Sequence, residues 1–252
     1  MTWLDRDGFR LHYEVHSTGT DRAPVLLSHG FSASAAMWEP NLAAFGAQRP
    51  VVAWDLRGHA RSDAPDDAAR YSHELALGDM AALLDEIGAP RAVLCGMSLG
   101  GYLSLRFTAL HPERVAALIL VDTGPGYRRD SERDGWNAYC EQVAAELEAK
   151  GLAAMRESPE VAEHASAAAI AHAARGIMGQ RDALVAESLG DVAVPALVVV
   201  GSEDEQFLRA ADYMAAKIPG ARKVVIDGAG HAANMDRPDD FNRAVTDFLE
   251  AL

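Results

Sequence analysis

At 252 residues, 49% of them hydrophobic and 24% charged, the chain is long enough to bury one large α/β core with a modest insertion and has the profile of a globular protein. Its 37 acidic residues against 23 basic ones leave a formal net charge of −14, which repels polyanions and argues against a nucleic-acid partner. No apolar run reaches membrane-spanning length, and the acidic start Met1-Thr2-Trp3-Leu4-Asp5-Arg6-Asp7 lacks the basic-then-apolar order of a signal peptide, so no membrane partner and a cytoplasmic location are expected.

In chain order, Thr2 to Arg6 and Phe9 to Val15 read as a hairpin turned by Asp7-Gly8, with alternation that implies one solvated face. Short apolar runs follow: Val25 to Ser28, Val51 to Trp54, Ala92 to Cys95, Val115 to Val121, Ala196 to Val200 and Lys223 to Ile226. Runs without alternation suit strands covered on both faces, as in a parallel sheet. Helical patterns lie between them. Glu74 to Ile87 carries Leu77, Met80, Ala81, Leu84 and Ile87 on one stripe and ends at Gly88. The final segment presents Phe241, Val245, Phe248 and Leu249 after Pro238 and two acids, a good helix start. Eight strands, six of them separated by helices, predict a mostly parallel, doubly wound α/β sheet with its site at the carboxyl ends of strands. Between about residues 125 and 191 the alternation stops, and Ala-rich helical stretches such as Glu141 to Ala149 and Val161 to Ala174 predict a helical cap inserted into a single domain, 1–252. Alanine-rich helices are expected to be thin, and the cap to act as a mobile lid. Cys95 and Cys140 sit in a strand and a helical context and read as free, packed thiols.

Directly after the strand ending at Cys95 comes Gly96-Met97-Ser98-Leu99-Gly100, and then an amphipathic helical pattern. A serine on so sharp a strand-to-helix turn exposes its Oγ, and the turn leaves no room for side chains two residues to either side. The five-residue pattern alone is a weak signal; its position between strand and helix gives it weight. A serine hydroxyl needs an adjacent base at neutral pH. His231 follows the last predicted strand inside Asp227-Gly228-Ala229-Gly230-His231, where a loop would carry it to the same end of the sheet.

These pieces, with His29-Gly30-Phe31, Asp55-Leu56-Arg57-Gly58 and Asp204 after further strands, resemble the α/β-hydrolase fold superfamily, in its serine-nucleophile branch, over nearly the whole chain. The resemblance implies an α/β-hydrolase fold with a small helical cap, and a triad of Ser98, Asp204 and His231. Gly201-Ser202-Glu203-Asp204-Glu205 matches the family's Gly-x-x-Asp at Asp204, with Glu203 and Glu205 as neighbours that could replace it and Asp122 as the alternative acid. The oxyanion hole would be the backbone N–H groups of Leu99, which opens the helix, and Phe31. Asp55, Arg57 and His59 read as loop-organising, with Ala60 where the family commonly has a second glycine. His29 reads as a brace.

The resemblance implies no cofactor, and no His-Glu-x-x-His, paired cysteine or phosphate-loop lysine argues for one. Serine at the elbow excludes the nucleophilic-aspartate branches. The leading expectation is hydrolysis of small to medium carboxylic esters through an acyl-serine intermediate. An enol-lactonase is the alternative, since Gly230-His231-Ala232-Ala233-Asn234 followed by Pro238 and Phe241 resembles that branch, while Ala232 does not match the carbon–carbon bond hydrolases. A non-catalytic ligand-binding member of the fold is the reading from a different class. The partner expected is thus a small-molecule ester or lactone, and nothing in the sequence specifies an oligomeric state. Anionic lactones would need a cation, for which Arg128, Arg129 and Arg133 are candidates unless they are merely solvated. In the cap, Trp136, Tyr139, Met155, Ile170, Ile177 and Met178 are candidate pocket walls, with ordinary helix packing as the competing role for each; Met97, beside the nucleophile, and Trp38, after the oxyanion loop, are further candidates to reach the pocket.

Overall fold

Eight strands form one sheet in the computed structural model, which describes residues 2–6, 8–16, 20–155 and 162–252. The strands are β1 (Thr2–Arg6), β2 (Phe9–His16), β3 (Val25–Ser28), β4 (Val51–Trp54), β5 (Ala92–Met97), β6 (Val115–Val121), β7 (Ala196–Gly201) and β8 (Arg222–Ile226). Their spatial order is β1-β2-β4-β3-β5-β6-β7-β8. The hairpin joins antiparallel at one edge and β3 to β8 pair in parallel, so the mostly parallel α/β-hydrolase sheet read from the sequence is the observed one.

The helices are α1 (Glu39–Gly46), α2 (His73–Glu86), α3 (Leu99–Leu110), α4 (Asp130–Lys150), α5 (Ala167–Ala173), α6 (Leu184–Ser188), α7 (Glu205–Lys217), α8 (Ala233–Asp236) and α9 (Pro238–Glu250). None is long and apolar enough to cross a membrane among the described residues. Successive strand side chains point to opposite faces. Leu26 and Leu94 thus enter one apolar cluster with Leu83, Leu103, Met214 and the cap's Ile170, while Val25, Leu27 and Cys95 enter another with Phe45, Phe241, Val245 and Leu249. Each fully buried Leu or Phe contributes about 1.5–3 kcal/mol relative to exposure, which is why the parallel strands read as unbroken apolar runs.

One pattern departs from expectation. Alternation along β2 places Leu11 and Tyr13 inward and His12 outward, yet His12 is fully buried because its Nδ1 meets Asp55 Oδ2 at 2.9 Å, while Val15 is exposed. A carboxylate partner outweighs the binary pattern there.

Between β6 and β7 the described residues hold α4, α5, α6 and short helical turns. Val161 and its five predecessors lie outside the described residues, so the expected helix start at Val161 does too. The described cap is well packed, contrary to the expectation of thin anchoring. Cys140, Ala144, Leu147, Ala169, Ile170 and Ala173 are buried, and Trp136 Nε1–H donates to Met178 O at 2.8 Å. Small side chains here permit close approach: a Cβ on Gly176 would lie 2.0 Å from Tyr71 O. Both cysteines are free and buried, and burial pushes the Cys140 thiol up to about 12.

Candidate active site

The strand β5 ends in a turn whose geometry is dictated by close packing. Ser98 has φ 49° and ψ −113°, a strained combination for a residue with a side chain. A Cβ on Gly96 would stand 2.2 Å from Gly100 O, and one on Gly100 would stand 2.2 Å from Ser28 O, so no other residue fits either position. The turn is pinned by Ser98 N–H donating to Val121 O at 2.9 Å and by Thr123 Oγ1–H donating to Ser98 O at 2.6 Å.

The loops after β7 and β8 deliver the two partners. His231 Nε2 lies 3.1 Å from Ser98 Oγ, and His231 Nδ1 lies 2.8 Å from Asp204 Oδ2. A carboxylate only accepts, so Nδ1 carries the proton and Nε2 is left as the acceptor for the serine hydroxyl. Phe207, one turn into α7, stacks on the imidazole with ring centroids 4.8 Å apart. Nothing in the sequence singled Phe207 out, although its place three residues after Asp204 puts it on the face of the helix start nearest that acid.

Asp122 sits elsewhere in the network. Its Oδ1 accepts from Gly201 N–H at 2.8 Å and its Oδ2 from Ala233 N–H at 2.9 Å. Both oxygens are thereby committed to backbone, one on each of the loops that carry Asp204 and His231. Burial pushes the carboxyl up, opposed by those two N–H donors. Asp204 is the carboxylate at the imidazole Nδ1, while Asp122 bridges the two loops through backbone N–H groups.

Phe31 and Leu99 both border the cavity beside Ser98, and the backbone N–H of neither donates to another group of the described residues. The Leu99 N–H is one of the donors that the first turn of any helix leaves free. Beneath Phe31 lies a histidine brace. His29 Nδ1–H donates to Gly30 O at 2.6 Å while its Nε2 accepts from Leu56 N–H at 3.0 Å. His164 of the cap donates to Ser32 O at 2.8 Å and accepts from Ala60 N–H at 3.0 Å. His59 lies between them, its ring centroid 5.2 Å from that of His29 and 5.5 Å from that of His164. Burial holds His29 down at about 4 and keeps His59 and His164 low as well, so this brace is neutral. Ala60 has φ 43°, a left-handed conformation that a glycine would adopt without strain. Asp55 Oδ1 accepts from Ala35 N–H at 2.7 Å, and Arg57 makes a buried two-point pair with Asp79 at 2.8 and 2.7 Å, so both organise loops.

Two lobes of a cavity meet at Ser98. The wider, about 430 Å³, is bordered by His231, Asp204, Met97, Trp136, Tyr139 and Phe207. The narrower, about 200 Å³, is bordered by Leu99, Tyr102, Thr123, Trp136, Met178 and Gln180. Met97, Trp136, Tyr139 and Met178 therefore stand where the sequence placed them. Trp38, Ile170 and Ile177 do not. Trp38 packs against Phe241 with ring centroids 6.4 Å apart, and the two isoleucines are fully buried in the core, where branched aliphatic side chains lose the most water. Met155 borders a separate hollow of about 280 Å³ beside Tyr139 and Val143. Arg128 and Arg129 border another hollow, Arg129 pairing with Glu132, and Arg133 donates to Tyr127 O at 3.0 Å and Arg128 O at 2.7 Å. None of the three lines either lobe, so the cation that an anionic lactone would need is not supplied by them.

A comparison with protein-family models matches residues 25–244 to the one described as "Alpha/beta hydrolase family". Among curated proteins, the chain is 32% identical over 95% of its length and 96% of the other's to the "Putative carbamate hydrolase RutD" of Variovorax paradoxus (strain S110). It is 29% identical to the 3-oxoadipate enol-lactonase 2 of Acinetobacter baylyi, over 89% of this chain and 88% of that one. Among solved structures, a thermophilic esterase from Thermogutta terrifontis superposes with a TM-score of 0.84 at 27% identity, covering 99% of this chain and 97% of that one.

Proposed function

For a chain that belongs to the alpha/beta hydrolase family, we propose the activity of a serine hydrolase that cleaves small to medium carboxylic esters through an acyl-serine intermediate. The observation that carries this reading is the chain of contacts from Ser98 Oγ through His231 to Asp204, at 3.1 and 2.8 Å, at the junction of two lobes. In the first half-reaction Ser98 Oγ attacks the ester carbonyl carbon as its proton passes to His231 Nε2. The carbonyl oxygen becomes an oxyanion, and the free N–H groups of Phe31 and Leu99 receive it; each such donor is worth about 3–4 kcal/mol in the transition state. The C–O bond then breaks, and the same proton goes from Nε2 to the departing alkoxide oxygen. Water repeats the sequence on the acyl-serine: His231 takes its proton, and Ser98 Oγ leaves with it. Asp204 holds the Nδ1–H bond throughout and stabilises the imidazolium.

A lactone presents the same acyl carbon, and the likeness to an enol-lactonase supports lactonase activity as the second reading. An assay of linear esters beside a neutral and an anionic lactone separates the two. Ser98→Ala is expected to lower kcat by about 10⁴-fold or more on every substrate that turns over, with the fold intact by circular dichroism. Activity retained in Ser98→Ala rejects the mechanism. Failure of a fluorophosphonate to label Ser98 in folded protein that still binds ester favours a non-catalytic member of the fold.

A further inference from the structure

Gln180 is 7% exposed and borders the narrow lobe. Its side-chain oxygen accepts from Tyr127 N–H at 3.1 Å, and its main chain is clamped by Asn137, whose Oδ1 accepts from Gln180 N–H at 2.7 Å and whose Nδ2–H donates to Gln180 O at 2.8 Å. Because a backbone N–H can meet only the oxygen of the amide, the Tyr127 bond fixes which way round the amide lies. The Nε2 group is left with two N–H donors and no partner among the described residues, at an atom that is not sealed from the cavity. Donors that open onto a mainly apolar lobe are available to an acceptor that enters it.

The lobe itself is otherwise mainly apolar, bordered by Phe31, Leu99, Tyr102, Trp136, Met178 and Phe207, and no Lys or Arg among the described residues lines it. A carboxylate taken into it would lose its hydration without a counter-ion, whereas a ketone, ester or ether oxygen would lose little and gain the amide donors. The two lobes also differ in what they offer the reaction. The leaving oxygen must receive its proton from His231 Nε2, so the alcohol belongs in the wide lobe, which His231 borders; the narrow lobe does not include His231 and is left for the acyl chain.

We propose that Gln180 is a specificity-determining residue whose Nε2 donates to a neutral oxygen acceptor on the substrate's acyl chain, so that the preferred substrates are esters of oxo- or alkoxy-alkanoic acids rather than of simple fatty acids or diacids. This rests on the serine hydrolase reading.

The test uses phenyl esters of 4-oxopentanoate and 5-oxohexanoate, each beside the methyl-branched analogue of the same shape, 4-methylpentanoate and 5-methylhexanoate, and beside the anionic monophenyl glutarate. Each rate is divided by the ester's spontaneous hydrolysis in buffer. For at least one oxo position, kcat/KM should exceed that of the methyl analogue by about five- to tenfold, mostly through KM, with the anionic ester slowest. Gln180→Met, which keeps the length and removes the donors, should bring that ratio to about one. A residue that only shapes the loop would lower both esters equally and leave the ratio unchanged. Ratios below about twofold at both oxo positions in the unmodified protein, a ratio that survives in Gln180→Met, or preference for the anionic ester each overturn the proposal. The comparison in the unmodified protein stands whether or not Gln180→Met folds. Loss of the hydrolase reading would show differently, as turnover of all five esters that Ser98→Ala does not abolish, or as no turnover at all.

Discussion

Two buried aspartates near one histidine divide their work by what their oxygens face. Asp204 meets Nδ1 of His231 directly, while Asp122 spends both oxygens on backbone N–H groups. Asp204→Asn keeps the shape but presents an amide that favours the wrong imidazole tautomer, so kcat should fall by about 10⁴-fold with little change in melting temperature. Asp122→Asn turns an NH2 toward one of two N–H donors, and should instead lower the melting temperature by several degrees, with a kcat loss of about 10- to 100-fold. Steady-state kinetics and thermal melts of the two variants check this, and the reverse ranking would reassign the acid. Ser98 and His231 were legible because their backbone contexts, a strand-to-helix turn between glycines and a Gly-rich loop after the last strand, are written locally. Asp204 was legible through the family pattern and not from three adjacent carboxylates alone. Trp38 was misread because an aromatic residue just after the Phe31 loop reads the same whether it turns to the cavity or, as it does, to Phe241. Gln180 left no trace in the sequence, since its role arises from a contact with Tyr127 that is 53 residues away along the chain.

At the scale of elements, strands and helices were legible because the sheet buries both faces and the helices one stripe, patterns that repeat at their own periods. What escaped is where long-range polar contacts override them, and histidines supply several of those. His73, first residue of α2, meets Ile177 O of the cap through Nε2 at 2.8 Å, while His164 ties the cap to the loops at Ser32 and Ala60. Burial holds His73 and His29 at about 4, below the ordinary 6.5. Between those values the unfolded chain binds protons that the folded one does not, so stability rises with pH across the window. The contribution is fully present above about pH 6.5 and is lost as pH falls toward about 4. From pH 7 to pH 5 each of these two histidines should remove about 2 kcal/mol of unfolding free energy. Urea unfolding at the two pH values measures the fall, and His73→Gln, which keeps a donor for Ile177 O, should reduce it by about 2 kcal/mol. An unchanged difference in that variant would mean that His73 titrates normally in the folded protein.

The whole molecule carries a charge of −14, while both lobes at Ser98 lack any lysine or arginine among the described residues. An anionic substrate therefore meets repulsion twice, first at long range from the net charge and then on desolvation inside the lobes. The first is screened by salt, because the Debye length of about 10 Å at 0.1 M shortens to about 3 Å at 1 M, whereas the cost of stripping water from a carboxylate in a lobe without a cation is not. For monophenyl glutarate, kcat/KM should consequently rise several-fold between 10 mM and 500 mM sodium chloride, and then level off below the value for a neutral ester of the same length. For the neutral ester it should change by less than about twofold over the same range. Using chloride rather than sulfate keeps salting-out of the apolar acyl chain from mimicking the effect. A flat profile for the anionic ester would place a compensating cation near its path, and an anionic rate that climbs to meet the neutral one would leave the lobe without a charge penalty of its own. The two terms are separable because one belongs to the surface of the entire chain and the other to a cavity a few residues wide.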